Sequence, residues 1–551
     1  MFIKRTRSKN FTYLSVVETF REGDAVKHKT LLQLGREDQI RANGDLQRLV
    51  DSISRVASIS AANGGIDLSK LEETSRHQWG AVAVYRRLWN KLDLTDILSQ
   101  ACKSSRRNFD LADSVFATVL ARLMRPGSKL QVFERQDEFL GVPKVTLHQL
   151  YRTLDTLSDA KDDIERRLFE KQKSLFNLNV DIVLYDVTTL YFESVRANDL
   201  REFGYSKDAK FGEVQVVLGL LTDTEGRPIG FDVFPGNTFE GHTLIDALKK
   251  LKQKFSIRQV VVVADRGMNN KVNLAAIKEA GFDYIVGSRL KNLPRSQHEN
   301  LLDRKQYSTL RLDPETGEVL LESRSIEHAN QATVEDTNGV KKNVELKEML
   351  VCTWSKQRAD KDAHDRALMV EKAGELLQAP SKIVSKRGPR RFISTETQDP
   401  SLNQARIDED ARWDGFYGIQ CSRLDLSQQQ VLDAYHSLWK IEDSFRVLKH
   451  SLQTRPIFHW NPKRIKGHLV TCFMAFVLER ALRLELKKEL PSLSPEALRN
   501  ALATVQVSVL SVDSTPAYLV STPSTDALAL MKSLKIPVPR GISSQPPITF
   551  D

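Results

Sequence analysis

Cysteine is scarce: Cys102, Cys352, Cys421 and Cys472 are the only four in 551 residues, far apart and without a C-x-x-C pair. That spacing excludes a zinc finger and a disulfide framework. It predicts four small core hydrophobes in a reducing compartment. Long apolar runs are missing too. The longest candidate, near Val470 to Leu478, is bracketed by charge and falls short of the ~18 residues of a membrane span. The opening MFIKRTRSKN has no apolar stretch, so no secretory signal is expected. No internal repeat is present. These absences predict a soluble, cytoplasmic protein with no membrane partner.

What is present is length and a mild positive charge. A chain of 551 residues allows about three to five domains and a core that needs no covalent staples. The 81 Lys and Arg against 71 Asp and Glu give a net charge of +10. Such an excess favours an anionic partner and is equally compatible with an ordinary basic enzyme.

Residues 1–36 predict two or three antiparallel strands, with turns at Ser8-Lys9-Asn10 and Glu22-Gly23-Asp24. The segment carries eight Lys or Arg and three acids. A basic ribbon can track phosphates, and it can equally be a solvated sheet face. With its linker it forms a region 1–75. Residues 76–178 read as a mainly helical region. Asp110 can cap a helix to about Met124, and Thr146 with Gln149 forms a capping box for the next. Leu147, Leu150, Leu154 and Leu157 recur at helical spacing, leaving His148, Gln149, Tyr151 and Arg152 off the buried stripe. Exposed polar side chains on capped helices suit groove recognition and suit a plain helical bundle as well.

Between 179 and 291 the pattern changes. Strands are predicted over VDIVLYDV at 180–187, Val214 to Leu221, Ile229 to Phe234, VVVV at 260–263 and Tyr284 to Val286. The turn Asp223-Thr-Glu-Gly226 joins the second to the third. Helices are predicted over Glu240 to Phe255 and Val272 to Ala280. The order β-β-β-α-β-α-β belongs to an α/β fold, an RNase H-like mixed sheet flanked by helices. Residues 292–410 read as an insertion. It holds short strands at Ser308 to Leu312, Glu318 to Ser323 and Met349 to Thr353, a charged helix from about Arg358 to Leu377, and the basic run Lys386-Arg387-Gly-Pro-Arg390-Arg391. The core resumes over 411–475 with a strand at Phe416 to Cys421 and a long helix from Ser427. Residues 476–551 begin helical and turn Ser- and Pro-rich from about Ser511.

Buried strands exclude carboxylates unless the charge is compensated. Yet Asp186 follows the apolar IVLY, and Asp265 ends an apolar strand. Carboxyl ends of strands in an α/β sheet are where ligands gather. Taken singly, each aspartate would more often be a cap or an ion-pair partner. Asp181, at the other end of its strand, reads as a solvated strand start. The helix from Ser427, with its own capping box at Gln430, adds to this. Ala434, Leu438, Ile441, Phe445, Leu448 and Leu452 form its apolar face. Tyr435, Trp439, Glu442, Arg446 and Lys449 form a second stripe roughly 100° away. Glu442 thus sits at the margin of the core, within reach of the sheet.

The motifs YDVTTLYFES around Asp186, VVVADRGM around Asp265, and DGFYGI followed by YHSLWKIEDSFRVLKHSL around Glu442 resemble those of the DDE transposases of bacterial insertion sequences, in the insertion-sequence-4 superfamily. The family's Tyr-x2-Arg-x3-Glu-x6-Lys signature is matched by Tyr435, Glu442 and Lys449, while Leu438 stands at the arginine position. Arg446 or Lys440 can substitute, and Arg446 lies on the correct stripe. The resemblance implies an RNase H-like core with a β-rich insertion before the third catalytic residue, and an N-terminal, mainly helical DNA-binding region. It implies Asp186, Asp265 and Glu442 as catalytic and metal-binding residues, with Mg²⁺ or Mn²⁺ as two ions, since carboxylates offer hard oxygen ligands. Tyr435, Trp439, Arg446, Lys449 and Arg266 are the expected DNA-binding residues. Cut-and-paste chemistry through a hairpin intermediate, binding to terminal inverted repeats and target DNA, a homodimeric synaptic complex and association with the nucleoid are implied in turn. Another RNase H-like nuclease, or an inactive transposon-derived DNA-binding protein, is the alternative.

Overall fold

The computed structural model describes residues 2–8, 11–22, 25–42, 71–103, 109–176, 182–208, 210, 212–238, 243–244, 247, 250, 254–255, 261–335, 341–378, 388–394, 400–512 and 515–547. Asp181, Val260, Lys386, Arg387, the turn residues Lys9, Asn10, Gly23 and Asp24, and most of the helix expected at 240–255 lie outside these.

The chain divides into a smaller unit (1–76, 508–520 and 540–547) and a larger one holding the rest. In the smaller unit, β1 (Phe2–Ser8), β2 (Phe11–Glu22) and β3 (Ala25–Arg36) form the expected antiparallel ribbon. A second sheet contains β4 (Glu72–Gln78), a strand straddling the expected linker and the start of the expected helical region. Its sequence EETSRHQ is polar throughout, so no apolar alternation announces it.

The sheet of the larger unit grows from the apolar runs. Its strands are β5 (Ile182–Tyr191), β6 (Gln215–Thr222), β7 (Pro228–Pro235), β8 (Val261–Ala264) and β9 (Asp283–Ser288). Beyond them come β10 (Ser308–Leu312), β11 (Val319–Glu335) and β12 (Lys341–Ser355). A short hairpin of β13 (Ile393–Ser394) and β14 (Ser401–Leu402) stands apart, and β15 (Phe416–Cys421) returns to the sheet. The nine-stranded order is β10-β11-β12-β15-β9-β8-β5-β6-β7. β5, β8 and β9 run parallel, and the other pairs are antiparallel. The strands of the 292–410 segment therefore extend the central sheet through β15. β11 and β12 are also far longer than the apolar residues alone suggest, because their outer halves form a hairpin with little burial.

One face of this sheet is dry. Val183, Tyr185 and Val187 of β5, Val262 and Ala264 of β8, and Tyr284 and Val286 of β9 share a core cluster with Leu274, Ala275 and Ile277 of the helix Lys271–Glu279. Alternation along each strand sends Asp186, Val263 and Gly287 to the opposite face.

The helical part of the larger unit begins as expected. Helix α1 (Leu111–Met124) is capped by Asp110, whose carboxylate accepts from Asp113 N at 3.0 Å. Helix α2 (Leu147–Phe176) starts at the reciprocal Thr146–Gln149 box, at 2.7 and 3.2 Å. The helix from Ser427 also starts at its box, but it is not continuous. It ends as α3 (Gln428–His436), restarts as α4 (Trp439–Arg446), and closes in a π-turn over Val447–Ser451. Between α3 and α4 the amides of Leu438 and Ile441 bond three residues back, to Tyr435 O and Leu438 O. That spacing is a 3₁₀-type tightening. Helix α5 (Pro462–Leu486) packs on α1 and α2. Gly467 permits the closeness, since a Cβ there would stand 2.0 Å from Leu154 O. The C-terminal region adds β16 (Gln506–Val512), β17 (Thr515–Val520) and β18 (Ile542–Ser543) where a helix and tail were expected. All four cysteines are buried and none forms a disulfide, and no described helix is long and apolar enough to cross a membrane.

Candidate active site

Strand register decides where the two aspartates stand. β5 and β8 pair in parallel, with Ile182 opposite Val261 and Leu184 opposite Val263. Two residues further on, Asp186 and Asp265 are level and on the same face; Asp265 stands just past the end of β8, whereas Asp186, expected near its strand's end, is mid-strand, because β5 runs on to Tyr191 paired with β6. Adjacent strands lie about 4.8 Å apart, so two like charges stand side by side unless a cation intervenes. Asp186 is half-buried and accepts from Val187 N at 2.7 Å. Asp265 is exposed, and its Oδ1 accepts from Gly267 N at 2.8 Å and Met268 N at 3.3 Å. Asp265 is therefore a cap as well as a candidate ligand.

The broken helix lies over this face. Gly287 of β9 points to the aspartates' side, and a Cβ there would stand 2.5 Å from Tyr435 Oη and 2.6 Å from Tyr417 Oη. The two tyrosine hydroxyls are hydrogen-bonded to each other. Burial first, then Tyr417, then the charge of Asp265 push the Tyr435 hydroxyl pKa upward, with Arg266 opposing. Tyr435 is thus a neutral donor beside Asp265. Next along, α4 packs on β5, with Ile441, Ser444 and Phe445 buried, and Glu442 is exposed beside that buried face. The structure brings Asp186 and Asp265 together and carries Glu442 to the strand that bears Asp186. Among the described residues no three His, Cys, Asp or Glu side chains close to a ready-made metal cage.

The remaining expected residues divide. Lys449, within the π-turn, is held in an ion pair with Asp208 at 3.1 Å, and Arg455 pairs with the same carboxylate at 3.0 Å. Burial lowers the Lys449 pKa while Asp208 opposes that shift. Arg446 pairs with Asp443 at 3.5 Å rather than with Glu442, and its side chain is 71% exposed. Asp443 also holds Arg480 at 3.3 Å and Arg483 at 3.0 Å. Lys440 donates to Thr224 O and faces Glu225 at 3.4 Å, so it is committed to the β6–β7 turn. Leu438 is buried, 9% exposed, and belongs to the core. Trp439 is exposed. Arg266 lines a cavity of about 610 Å³ with Arg289, Arg358 and Tyr417.

Three residues near the site were not singled out from the sequence: Asp208, Lys207 and Tyr417. Lys207 Nζ donates to Val187 O at 2.7 Å, one residue from Asp186. It lies in a segment without periodicity, where only the local run SKDAK shows charge. Tyr417 was visible as part of DGFYGI but not as Tyr435's partner.

Among known protein families, residues 180–478 match the one described as Transposase DDE domain, and residues 3–63 match the IS1634 family transposase, N-terminal domain. No curated protein matches the chain. Among solved structures, a cryo-EM structure of the piggyBac transposase synaptic complex with hairpin DNA is similar over 77% of this chain and 79% of that one, at 11% identity and a TM-score of 0.34.

Proposed function

Because this chain belongs to the DDE-domain transposases, we propose that Asp186, Asp265 and Glu442 form its active site and cut DNA at transposon ends. The observation that carries this is the register, which sets the two aspartates level on one sheet face beneath the helix bearing Glu442. The first part of the sheet, ordered β9-β8-β5-β6-β7, is read as an RNase H-like core. Residues 292–410 are read as an insertion before Glu442, and 1–75 and 76–178 as DNA-binding regions. The signature residues Tyr435, Glu442 and Lys449 support the insertion-sequence-4 superfamily and its signature branch.

The enzyme is a polynucleotidyl transferase. Members of this family use divalent metal ions. The donor set suits a hard cation, since adjacent carboxylates relieve their repulsion by binding one. Two ions, Mg²⁺ or Mn²⁺, held by Asp186, Asp265 and Glu442 would activate an attacking oxygen and stabilise the leaving one. The chain's own residues place the DNA. Lys449, released from Asp208, and Tyr435, a neutral hydroxyl beside Asp265, hold phosphates near the scissile bond. Trp439 and Arg266 extend that contact. Arg446, exposed on α4, takes the contact that Leu438 cannot make, since a guanidinium grips phosphate or stacks on a base. Cleavage at the terminal inverted repeats then proceeds through a hairpin, cut-and-paste, before transfer to target DNA within a homodimeric synaptic complex on the nucleoid.

A labelled transposon-end duplex tests the assignment. Asp186→Asn, Asp265→Asn and Glu442→Gln each abolish metal-dependent nicking and leave binding to the duplex intact. Nicking that survives in any one of them removes that residue from the site.

A further inference from the structure

Away from the three carboxylates, a cavity of about 300 Å³ opens between the end of α1, α2, the loop after the π-turn and the start of α5. Arg122, Lys129, Tyr151, Arg455, His459 and His468 line it, and no carboxylate does among the described residues. A buried ammonium ordinarily has a carboxylate partner. Lys129 is 2% exposed and, among the described residues, has neither an ion pair nor a hydrogen bond. Burial, with Arg122 adding to it, pushes its pKa down to about 7. His468 is 5% exposed; its Nε2 faces Thr454 O at 3.2 Å, and its Nδ1 is buried with no partner among the described residues. Arg122 is 5% exposed and spends its guanidinium on the carbonyls of Gly127, Leu452 and Gln453, at 2.9, 3.3 and 3.1 Å, which keeps the wall rigid.

Lys129, His468 and Arg122 are costly to bury, and no described carboxylate pairs with them; Arg455 alone of the lining cations has an acid, Asp208. They are arranged as a receptor for a compact anion with several acceptor oxygens. The rim names the anion's carrier. Phe458 lines the cavity and is 60% exposed, and Trp460, two residues on, is 54% exposed. The Arg201 and Arg196 guanidiniums lie 4.9 and 6.0 Å from the Trp460 ring. Exposed rings beside cations are platforms for unpaired bases. Arg455 joins the cavity to the site described above, because it also pairs with the Asp208 that holds Lys449.

We propose that this cavity binds a phosphate group of a DNA strand, with Lys129 as its principal ligand and Phe458 and Trp460 stacking on the neighbouring bases. The phosphate site stands on the cavity alone. The strand as its source rests on the transposase reading.

Thermal unfolding of the full chain in EDTA tests both parts, with sodium chloride, inorganic phosphate at equal ionic strength, and a single-stranded oligonucleotide as the three additions. Phosphate at about a hundredfold excess over its Kd raises the wild-type Tm by roughly 2–3 °C over chloride, the shift that about 2.7 kcal/mol gives in a chain this long. Lys129→Met is more stable than wild type without ligand and shows no such rise. Equal shifts in chloride and phosphate, or a full rise in Lys129→Met, overturn the site. If that variant does not fold, carbamylation of wild-type Lys129 by cyanate, read by mass spectrometry, replaces it. Phosphate slows it about tenfold or more, and an unchanged rate overturns the proposal. The oligonucleotide produces the same rise, and Phe458→Ala with Trp460→Ala removes it while the response to inorganic phosphate persists. A rise with phosphate and none with the oligonucleotide overturns the strand and leaves free phosphate as the ligand. None of these readouts depends on cleavage, so inactive carboxylate variants leave them unchanged.

Discussion

The two halves of the candidate site are fixed by different means. Asp186 and Asp265 sit on β5 and β8, whose ladder sets their level and their face residue by residue. Glu442, Arg446 and Lys449 sit on a helix that is tightened at Ser437–Leu438 and widened at Val447–Ser451. A one-residue slip in a sheet flips every side chain, so register is strongly defended. A helix tolerates an altered turn at small cost, and each alteration rotates the residues beyond it. Sheet-borne groups are therefore positioned by hydrogen bonds, and helix-borne groups by what their side chains grip. Here they grip Asp208, Asp443 and the tyrosine pair on Gly287.

That contrast can be broken at the grips. Asp208→Ala leaves Lys449 and Arg455 without their acid, with side chains only 10% and 16% exposed. Stranding half-buried charges costs about 3 kcal/mol, and urea unfolding with an unchanged m-value should show it. A loss below about 0.5 kcal/mol, the size of an ordinary surface change, would mean that the π-turn is held by the backbone alone.

Glu479 of α5 sharpens the comparison from beneath the helix. It is 5% exposed, neither carboxylate oxygen has a hydrogen bond among the described residues, and Arg483 stands 3.8 Å away. Burial raises its pKa from 4.5 to about 7, opposed by Arg480 and Arg483. The folded state thus holds a proton that the unfolded state has released between those two values. Stability falls as pH rises from about 4.5 to 7, and the full penalty, on the order of 3 kcal/mol, is present above 7. Glu479→Gln removes the penalty. Its Tm exceeds that of the wild type at pH 8 and matches it near pH 4.5; parallel pH profiles would show that Glu479 is ionised in the fold throughout.

Gly287→Ala pushes the two halves apart. Its Cβ meets both tyrosine hydroxyls within 2.6 Å. Overpacking costs about 1–3 kcal/mol, and a site displaced by about 1 Å can lose roughly a hundredfold in rate. Circular dichroism should report a folded protein and the nicking assay a much slower one. Full activity would show that the Tyr417–Tyr435 pair does not set the helix position. Arg446→Ala is the smallest perturbation: an exposed i,i+3 pair contributes about 0.5 kcal/mol or less. Its Tm hardly moves, while gel analysis shows hairpin formation or opening impaired more than first nicking. Equal losses at every step, or none, remove Arg446 from its proposed role.

Legibility in the sequence divided along the same line. The apolar runs of β5, β8 and β9 and the caps at Asp110, Thr146 and Ser427 were readable because burial and end-capping leave local marks. Asp186 and Asp265 stood out as acids ending such runs. The breaks in the Ser427 helix left no mark, since neither proline nor glycine occurs between Ser427 and Ser451; the bends come from tertiary packing. The exposed halves of β11 and β12 show no apolar alternation, and polar β4 shows none either. Asp208 was invisible because its meaning lies in two cations more than 240 positions away.

Metal binding without DNA tests the central claim most directly. Mn²⁺ titrated into the wild-type chain and monitored by loss of the free-ion electron paramagnetic signal should show saturable binding. Asp186→Asn and Asp265→Asn should each weaken it by about tenfold or more, because one carboxylate on a shared strand edge cannot replace two. Unchanged Mn²⁺ affinity in both variants would contradict the account, for it would place the metal away from Asp186 on β5 and Asp265 beyond β8.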